Sequence, residues 1–333
     1  MPNSLYVIIL LLFSCNGGMK QEENPLKPNS SGYELVKDWP KLPAGYALSQ
    51  VTGVGVDTSQ DILLFHRTGR HWVEPFPDSA ISVPTILVLD HISGKIISSF
   101  GAGYFIMPHG LTVDRWNNVW VTDVGLHQVF KFSHDGRLLM TMGEAKKSGN
   151  DSTHFFLPTD VAVAADGSFY VSDGYGNSRV AHFNREGHFI SQWGSKGSKP
   201  GEFNIPHGID LDNQGNVYVA DRENNRIQSF DPDGHFLQEW KNDSANQLYS
   251  LTIDKASNAL FAIDYLSYMD TIIKGSDIMS FGPSLKFLSR FGRSGNYDGP
   301  KSRYHDITVD KDGNLYVGDI LGNSIQKFKK IVH

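Results

Sequence analysis

The sequence predicts an all-β protein, a six-bladed β-propeller, on two observations. One short strand pattern recurs six times at intervals of about fifty residues, and Asp-Gly turns of the hairpin kind punctuate the copies. The clearest first strands are His109-Gly110-Leu111-Thr112-Val113-Asp114, Thr159-Asp160-Val161-Ala162-Val163-Ala164, His207-Gly208-Ile209-Asp210-Leu211-Asp212 and His305-Asp306-Ile307-Thr308-Val309-Asp310. All four alternate apolar and polar residues, as a strand does. A second strand ending in Asp123, Asp173, Asp221 or Asp319 follows each, and then a third, such as Gln128 to Phe132. Two weaker copies are anchored at Asp57 and Asp254. The turns Asp135-Gly136, Asp166-Gly167, Asp233-Gly234 and Asp312-Gly313 mark antiparallel connections.

Most units carry a fourth strand, such as Leu138 to Met142 or Phe236 to Trp240. The sixth unit runs out of chain after Phe328, so its outer strand has to come from elsewhere. Tyr33 to Trp39 has the matching pattern and belongs to no other unit. It is expected to close the ring by pairing with the last blade, which also hides that edge.

Composition narrows the function. With 30 Lys+Arg against 36 Asp+Glu the formal charge is -6, and no basic stripe is present to follow phosphates, which argues against a nucleic-acid partner. A single cysteine, Cys15, excludes an internal disulfide and a cysteine-based metal site. It follows an apolar run from Leu5 to Phe13 that is too short to span a bilayer but suits a signal-peptide core. Leu12-Phe13-Ser14-Cys15 resembles a bacterial lipoprotein signal, although no Lys or Arg precedes the run. The other reading is a buried N-terminal strand with an incidental thiol. The expected organisation is a signal over residues 1–15, a polar linker over 16–32 and the propeller over 33–333. The protein is then exported, touching a membrane only through a lipid on Cys15, and is expected to be a monomer.

In a propeller the first strand of each blade lines the central channel, so the starts of those strands form a ring. Its members are Thr52, His109, Thr159, His207, Tyr249 and His305. Histidine takes alternate places, and three imidazoles converging on an axis are what a catalytic zinc requires of a protein. A lone His in a Pro-His-Gly turn is more often structural; the register is what singles these out. Tyr175 and Arg67 lie in the loops that rim the same face, the first a candidate base and the second a fork for a carboxylate. Arg222 shares the rim, and its expected role is a structural salt bridge between blades. His66, His71 and Trp72 lie near Arg67 without a role that their spacing assigns. Asp306 follows a ring histidine; with the carbonyls of Val54 and Leu111 it could hold a hard cation such as calcium deeper in the channel, or simply satisfy channel amides.

Several long motifs carry a family resemblance: Pro108-His109-Gly110-Leu111, Trp120-Val121-Thr122-Asp123, Pro158-Thr159-Asp160-Val161-Ala162-Val163, Val171 to Arg179, Pro206-His207, Ala220 to Arg226 and His305-Asp306-Ile307. In this order, from about residue 45 onward, the chain resembles the lyase domain of peptidylglycine α-amidating monooxygenase, a propeller of NHL-type repeats. The resemblance implies cleavage of a peptidyl-α-hydroxyglycine to an amide and glyoxylate. It further implies zinc on His109, His207 and His305, catalytic roles for Tyr175 and Arg67, and calcium at Val54, Leu111 and Asp306. Arg67 would either hold Tyr175 or neutralise the glycine-derived carboxylate. Two departures stand out: Arg303-Tyr304 replaces the family's Met-Pro before the third histidine, and Gly176 stands where a disulfide cysteine is expected.

The competing reading is a non-catalytic NHL-type propeller that binds a peptide or glycan. A calcium-dependent lactonase would use channel carboxylates and Asn instead of three histidines, and the acidic balance speaks against an RNA-binding propeller.

Overall fold

A computed structural model describes residues 32–242, 247–268, 272–292 and 301–331. The expected signal, the linker up to residue 31 and Cys15 lie outside the described residues. From Ser31 onward the chain forms one compact unit. Among the described residues there is no α-helix, only a 3-10 turn at Pro283–Leu285.

Six antiparallel sheets follow one another along the chain, five of them with their main strands in sequence order and the sixth completed by the first strand of the described chain. Their innermost strands are Val51–Val56, Pro108–Val113, Asp160–Val163, Pro206–Leu211, Gln247–Ile253 and Tyr304–Val309. Leu138–Met142 and Phe236–Lys241 are outer strands, as expected. The fifth sheet has an extra strand, Ile272–Gly275, paired with Leu260–Tyr268. Tyr33–Leu35 completes the sixth sheet by pairing with Ser324–Lys330, Tyr33 opposite Lys330 and Leu35 opposite Phe328. The closing strand is shorter than the stretch to Trp39 that the pattern predicts. After Val36, whose N–H still reaches the Lys327 carbonyl at 2.9 Å, the chain turns toward Pro40, which has no N–H to give. Trp39 then packs edge-on against Tyr316, with ring centroids 5.2 Å apart.

The apolar core is divided among the seams between blades. Leu63 and Phe65 of the first blade pack with Val119, Val121 and Phe132 of the second. Trp120 and Val129 pack with Phe169 and Phe183 across the next seam, and Val51 and Leu64 meet Tyr316 and Ile325 where the ring closes. Because the alternating residues of each sheet face both neighbours, no blade buries its two faces without them.

Two sets of aspartates tie the repeat to its turns. Asp114, Asp212 and Asp310 each accept the N–H of the residue four positions on, at 2.8 Å, closing the turn after a first strand. The aspartates that end second strands reach sideways instead. Asp123 accepts the N–H groups of Ile106 and Met107 at 2.8 Å, Asp173 that of Phe156 at 2.9 Å, Asp221 that of Asn204 at 2.7 Å and Asp319 that of Arg303 at 2.9 Å. Each of these amides lies just ahead of a ring residue, so the carboxylate holds the loop that delivers it.

Asp221 is also paired in the interior with Arg226, whose Nε lies 2.8 Å away while its Nη atoms bond Glu239 and the carbonyls of Ser198, Lys199 and Glu202. Arg226→Ala leaves the buried Asp221 carboxylate without its cation and removes a donor from the carbonyls of Ser198, Lys199 and Glu202. The expected loss is about 3–5 kcal/mol of folding stability, read as a lower urea midpoint; a midpoint equal to that of the unaltered protein would show that the pair is dispensable.

Candidate active site at the channel mouth

The ring inferred from the repeat is present. His109, His207 and His305 are buried, their ring centroids are 4.6–4.9 Å apart, and a ligand atom from each lies within 4.8 Å of the other two. Each Nδ1 sits 2.7 Å from a main-chain carbonyl: Thr159 for His109, Tyr249 for His207 and Thr52 for His305. A carbonyl only accepts, so Nδ1 carries the proton and each Nε2 presents a lone pair. The carbonyls belong to the three ring members that are not histidine. Strands approach closely here: a Cβ on Gly110 would stand 2.5 Å from the Thr159 oxygen, which is why glycine follows His109.

Burial holds the three imidazoles neutral. It pushes His109 down to about 3, assisted by the charge of Arg67, and pushes His207 and His305 well below the usual histidine range. Three neutral, oriented nitrogen donors fit a zinc-like cation.

Tyr175 comes to the same point. Its hydroxyl lies 3.1 Å from Nε2 of His109 and 3.0 Å from Nε2 of His207, and it can donate to one of them at a time. Arg222 Nη1 donates to the Tyr175 oxygen at 3.2 Å and its guanidinium stacks on the tyrosine ring. Burial raises the Tyr175 pKa, while Arg222, Arg67 and Arg303 pull it back down. Arg222 is therefore a site residue and not the inter-blade salt bridge that the sequence suggests; its carboxylate partner is the adjacent Glu223, at 2.9 Å. The preference of neighbours in sequence gave no signal of this contact.

Arg67 is buried, and burial lowers its pKa to about 10. It does not bond Tyr175. Its Nε donates to the Pro108 carbonyl at 3.1 Å and its Nη1 to Gln50 at 2.7 Å, and no carboxylate among the described residues lies within ion-pair distance. Trp72 bridges the two residues, with Arg67 over its ring at 5.5 Å and Tyr175 at 5.0 Å. His71 lies 3.4 Å from Gln50, and His66 is buried with no partner for either ring nitrogen among the described residues. The space beside Gly176 is filled by the ring of Phe156.

Below the ring, Asp306 accepts the Val54 N–H at 2.8 Å, the Ser250 hydroxyl at 2.8 Å and the Ile307 N–H at 2.9 Å. Asp160, which the sequence reading left out, is a second buried carboxylate there; burial and the charge of Asp306 raise its pKa, and burial raises that of Asp306 to about 7. Both line a cavity of about 780 Å³ together with Val54 and Leu111.

Comparison with known proteins agrees with this architecture. Residues 150–272 match a family model described as a 6-bladed beta-propeller, and residues 105–132 match the NHL repeat. The chain is 36% identical to peptidyl-glycine alpha-amidating monooxygenase A of Xenopus laevis over 93% of its own length. It spans about a third (34%) of that relative. It is 42% identical to the probable peptidyl-alpha-hydroxyglycine alpha-amidating lyase pgal-1 of Caenorhabditis elegans, over 53% of this chain and 54% of the relative. Among solved structures, a streptogramin B lyase superposes with a TM-score of 0.55 at 14% identity, covering 89% of this chain and 97% of that one; at that identity the likeness is one of fold.

His66 supplies a test of the site's dry flank. Neither of its ring nitrogens has a partner, and burial lowers its pKa to about 4, so between pH 6.5 and 4 the unfolded chain binds a proton that the folded chain refuses. Stability should fall as pH drops through that window, and His66→Phe should flatten part of the fall in melting temperature. An unchanged pH profile would show that His66 finds a partner in solution.

Proposed function

Starting from its homology with peptidyl-α-hydroxyglycine α-amidating lyases, which are 33–42% identical to it, we propose that this protein cleaves the C–N bond of an acyl- or peptidyl-α-hydroxyglycine to an amide and glyoxylate. The observation that carries this reading is the convergence of three Nε2 lone pairs on one point, with the Tyr175 hydroxyl 3.0–3.1 Å from two of them. His109, His207 and His305 would hold zinc, which when bound supplies Lewis acidity and positive charge at the reacting hydroxyl.

The remaining work falls to side chains. Tyr175, as phenolate, takes the proton of the substrate hydroxyl; as the C–O double bond of glyoxylate forms and the C–N bond breaks, the same proton is available to the departing amide nitrogen. Atoms balance with no further reactant. Arg222 steadies the phenolate oxygen, since its Nη1 already donates there. Of the two roles open to Arg67, receiving the substrate carboxylate is the better supported: its bonds run to Pro108 and Gln50, and it is a buried cation with no carboxylate in contact among the described residues. Asp306, with the carbonyls of Val54 and Leu111, would bind calcium and relieve the crowding of negative charge with Asp160.

With zinc and calcium supplied, the protein should release glyoxylate from a synthetic acyl-α-hydroxyglycine. His207→Ala should lose both zinc and release. Tyr175→Phe should keep zinc yet slow turnover by about 10²–10⁴, and undiminished turnover would remove the tyrosine from the mechanism. Calcium should raise the melting temperature of the unaltered protein and leave Asp306→Asn unmoved; an equal rise in both would place the ion elsewhere.

A further inference from the structure

The arginines around the triad are unequally matched. Arg222 has Glu223 at 2.9 Å. Arg67 and Arg303 have no carboxylate within ion-pair distance among the described residues; Asp123 acts on Arg67 only from farther away, with its oxygens already engaged by the Ile106, Met107 and Leu126 amides. The two unmatched cations lie on different flanks. Arg67 bonds the carbonyl just ahead of His109. Arg303 lies against Tyr249, whose ring is 5.0 Å from that of His207 and 5.7 Å from that of His305.

Arg303 is also held in place for a ligand. Its guanidinium stacks on Tyr249 at 5.3 Å and on Tyr265 at 4.7 Å, and its Nε and Nη2 donate to the Tyr249 hydroxyl, with Nε at 3.0 Å. Its Nη1 is the edge of the fork that those bonds leave over. The bonded chain continues from the Tyr249 hydroxyl to Gln247 Oε1 at 3.3 Å, from Gln247 Nε2 to Glu223 at 2.8 Å, and through Arg222 to Tyr175. Its field reaches Arg67, Tyr175 and His305. A rotamer-rich cation fixed on two aromatic faces beside an existing cation costs free energy unless something anionic is received there.

We propose that Arg303 forms a second anion subsite, so that the preferred substrate is an acyl-α-hydroxyglycine with a carboxylate on its acyl side. The glycine-derived carboxylate goes to Arg67 and the acyl-side carboxylate to Arg303, with the scissile bond over the histidines. The inference rests on the lyase reading for the orientation of the substrate, and it deepens that reading by naming a substrate class.

The test uses two unreactive analogues that lack the hydroxyl: N-succinylglycine and its neutral isostere N-succinamoylglycine. Titration calorimetry on the zinc-loaded full chain should give about tenfold tighter binding of the succinyl compound, the worth of one charge-assisted contact. Arg303→Gln should erase that preference and Arg303→Lys should keep part of it, with zinc content and circular dichroism reporting that each variant is folded. Equal binding of the two analogues by the unaltered protein, whether because neither binds or because Arg67 and Arg303 clamp one carboxylate together, overturns the proposal. So does a preference that survives in Arg303→Gln. Glyoxylate release from the hydroxylated counterparts is scored separately: its absence beside an intact, Arg303-dependent preference overturns the lyase reading and leaves the subsite standing.

Discussion

The contact on which the site depends is the 2.7 Å bond from each histidine Nδ1 to the main-chain carbonyl of a neighbouring blade. It does two things together. It commits the proton to Nδ1, which leaves Nε2 free to donate electrons at the axis. It also ties the position of each imidazole to the spacing between blades, so the geometry of the triad is a property of the closed ring and not of any one strand. The short strand Tyr33–Leu35, which completes the sixth sheet against Ser324–Lys330, thereby bears on chemistry far from it in sequence.

The same logic explains the aspartates that end the second strands. A histidine on a strand is only as well placed as the loop that leads into it. Asp123 fixes the loop before His109, Asp221 the loop before His207 and Asp319 the loop before His305. Asp221 can bear its own burial because Arg226 neutralises it and spends its remaining donors on the adjoining loop carbonyls. Asp123 has no such partner among the described residues; burial raises its pKa to about 6 in spite of its amide donors.

Much of this was legible in the sequence because it follows from register. Once the repeats are aligned, His109, His207 and His305 fall on equivalent positions of alternate units, and period alone brings them to one axis. The rim was less legible. A loop residue's direction is not set by period, and Arg222 reads from sequence as a salt bridge between blades although it pairs with the adjacent Glu223 and its Nη1 points to Tyr175. Arg67 was found as a site residue, but its contacts with Pro108 and Gln50 could not be read from spacing. Asp160 carries no signal in the repeat, where its place is held by glycine at Gly110 and Gly208; only the closed ring, which sets the third blade across the channel from the sixth, brings a carboxylate there within the field of Asp306. Trp39 failed as a strand residue for a local reason, the proline after it.

Electrostatics set the limit on what such a mouth can do. A tyrosine buried beside neutral imidazoles is a poor base, since burial favours its protonated form. Three guanidiniums around it shift the balance toward the phenolate, but buried cations repel one another: Arg303 lowers the pKa of Arg67, and both lower that of His305. Arg222 escapes because Glu223 and the faces of Tyr175 and Tyr249 compensate it. Arg67 and Arg303 have no equivalent partner among the described residues, so an anionic substrate of the proposed kind would relieve their mutual repulsion. On the proposed reading binding and activation would be opposed, since each carboxylate that enters would weaken the field at Tyr175 while it positions the bond to be broken. A cation held by the three histidines would restore that field beside the Tyr175 hydroxyl, which gives a physical reason for the histidines and the arginines to share one mouth.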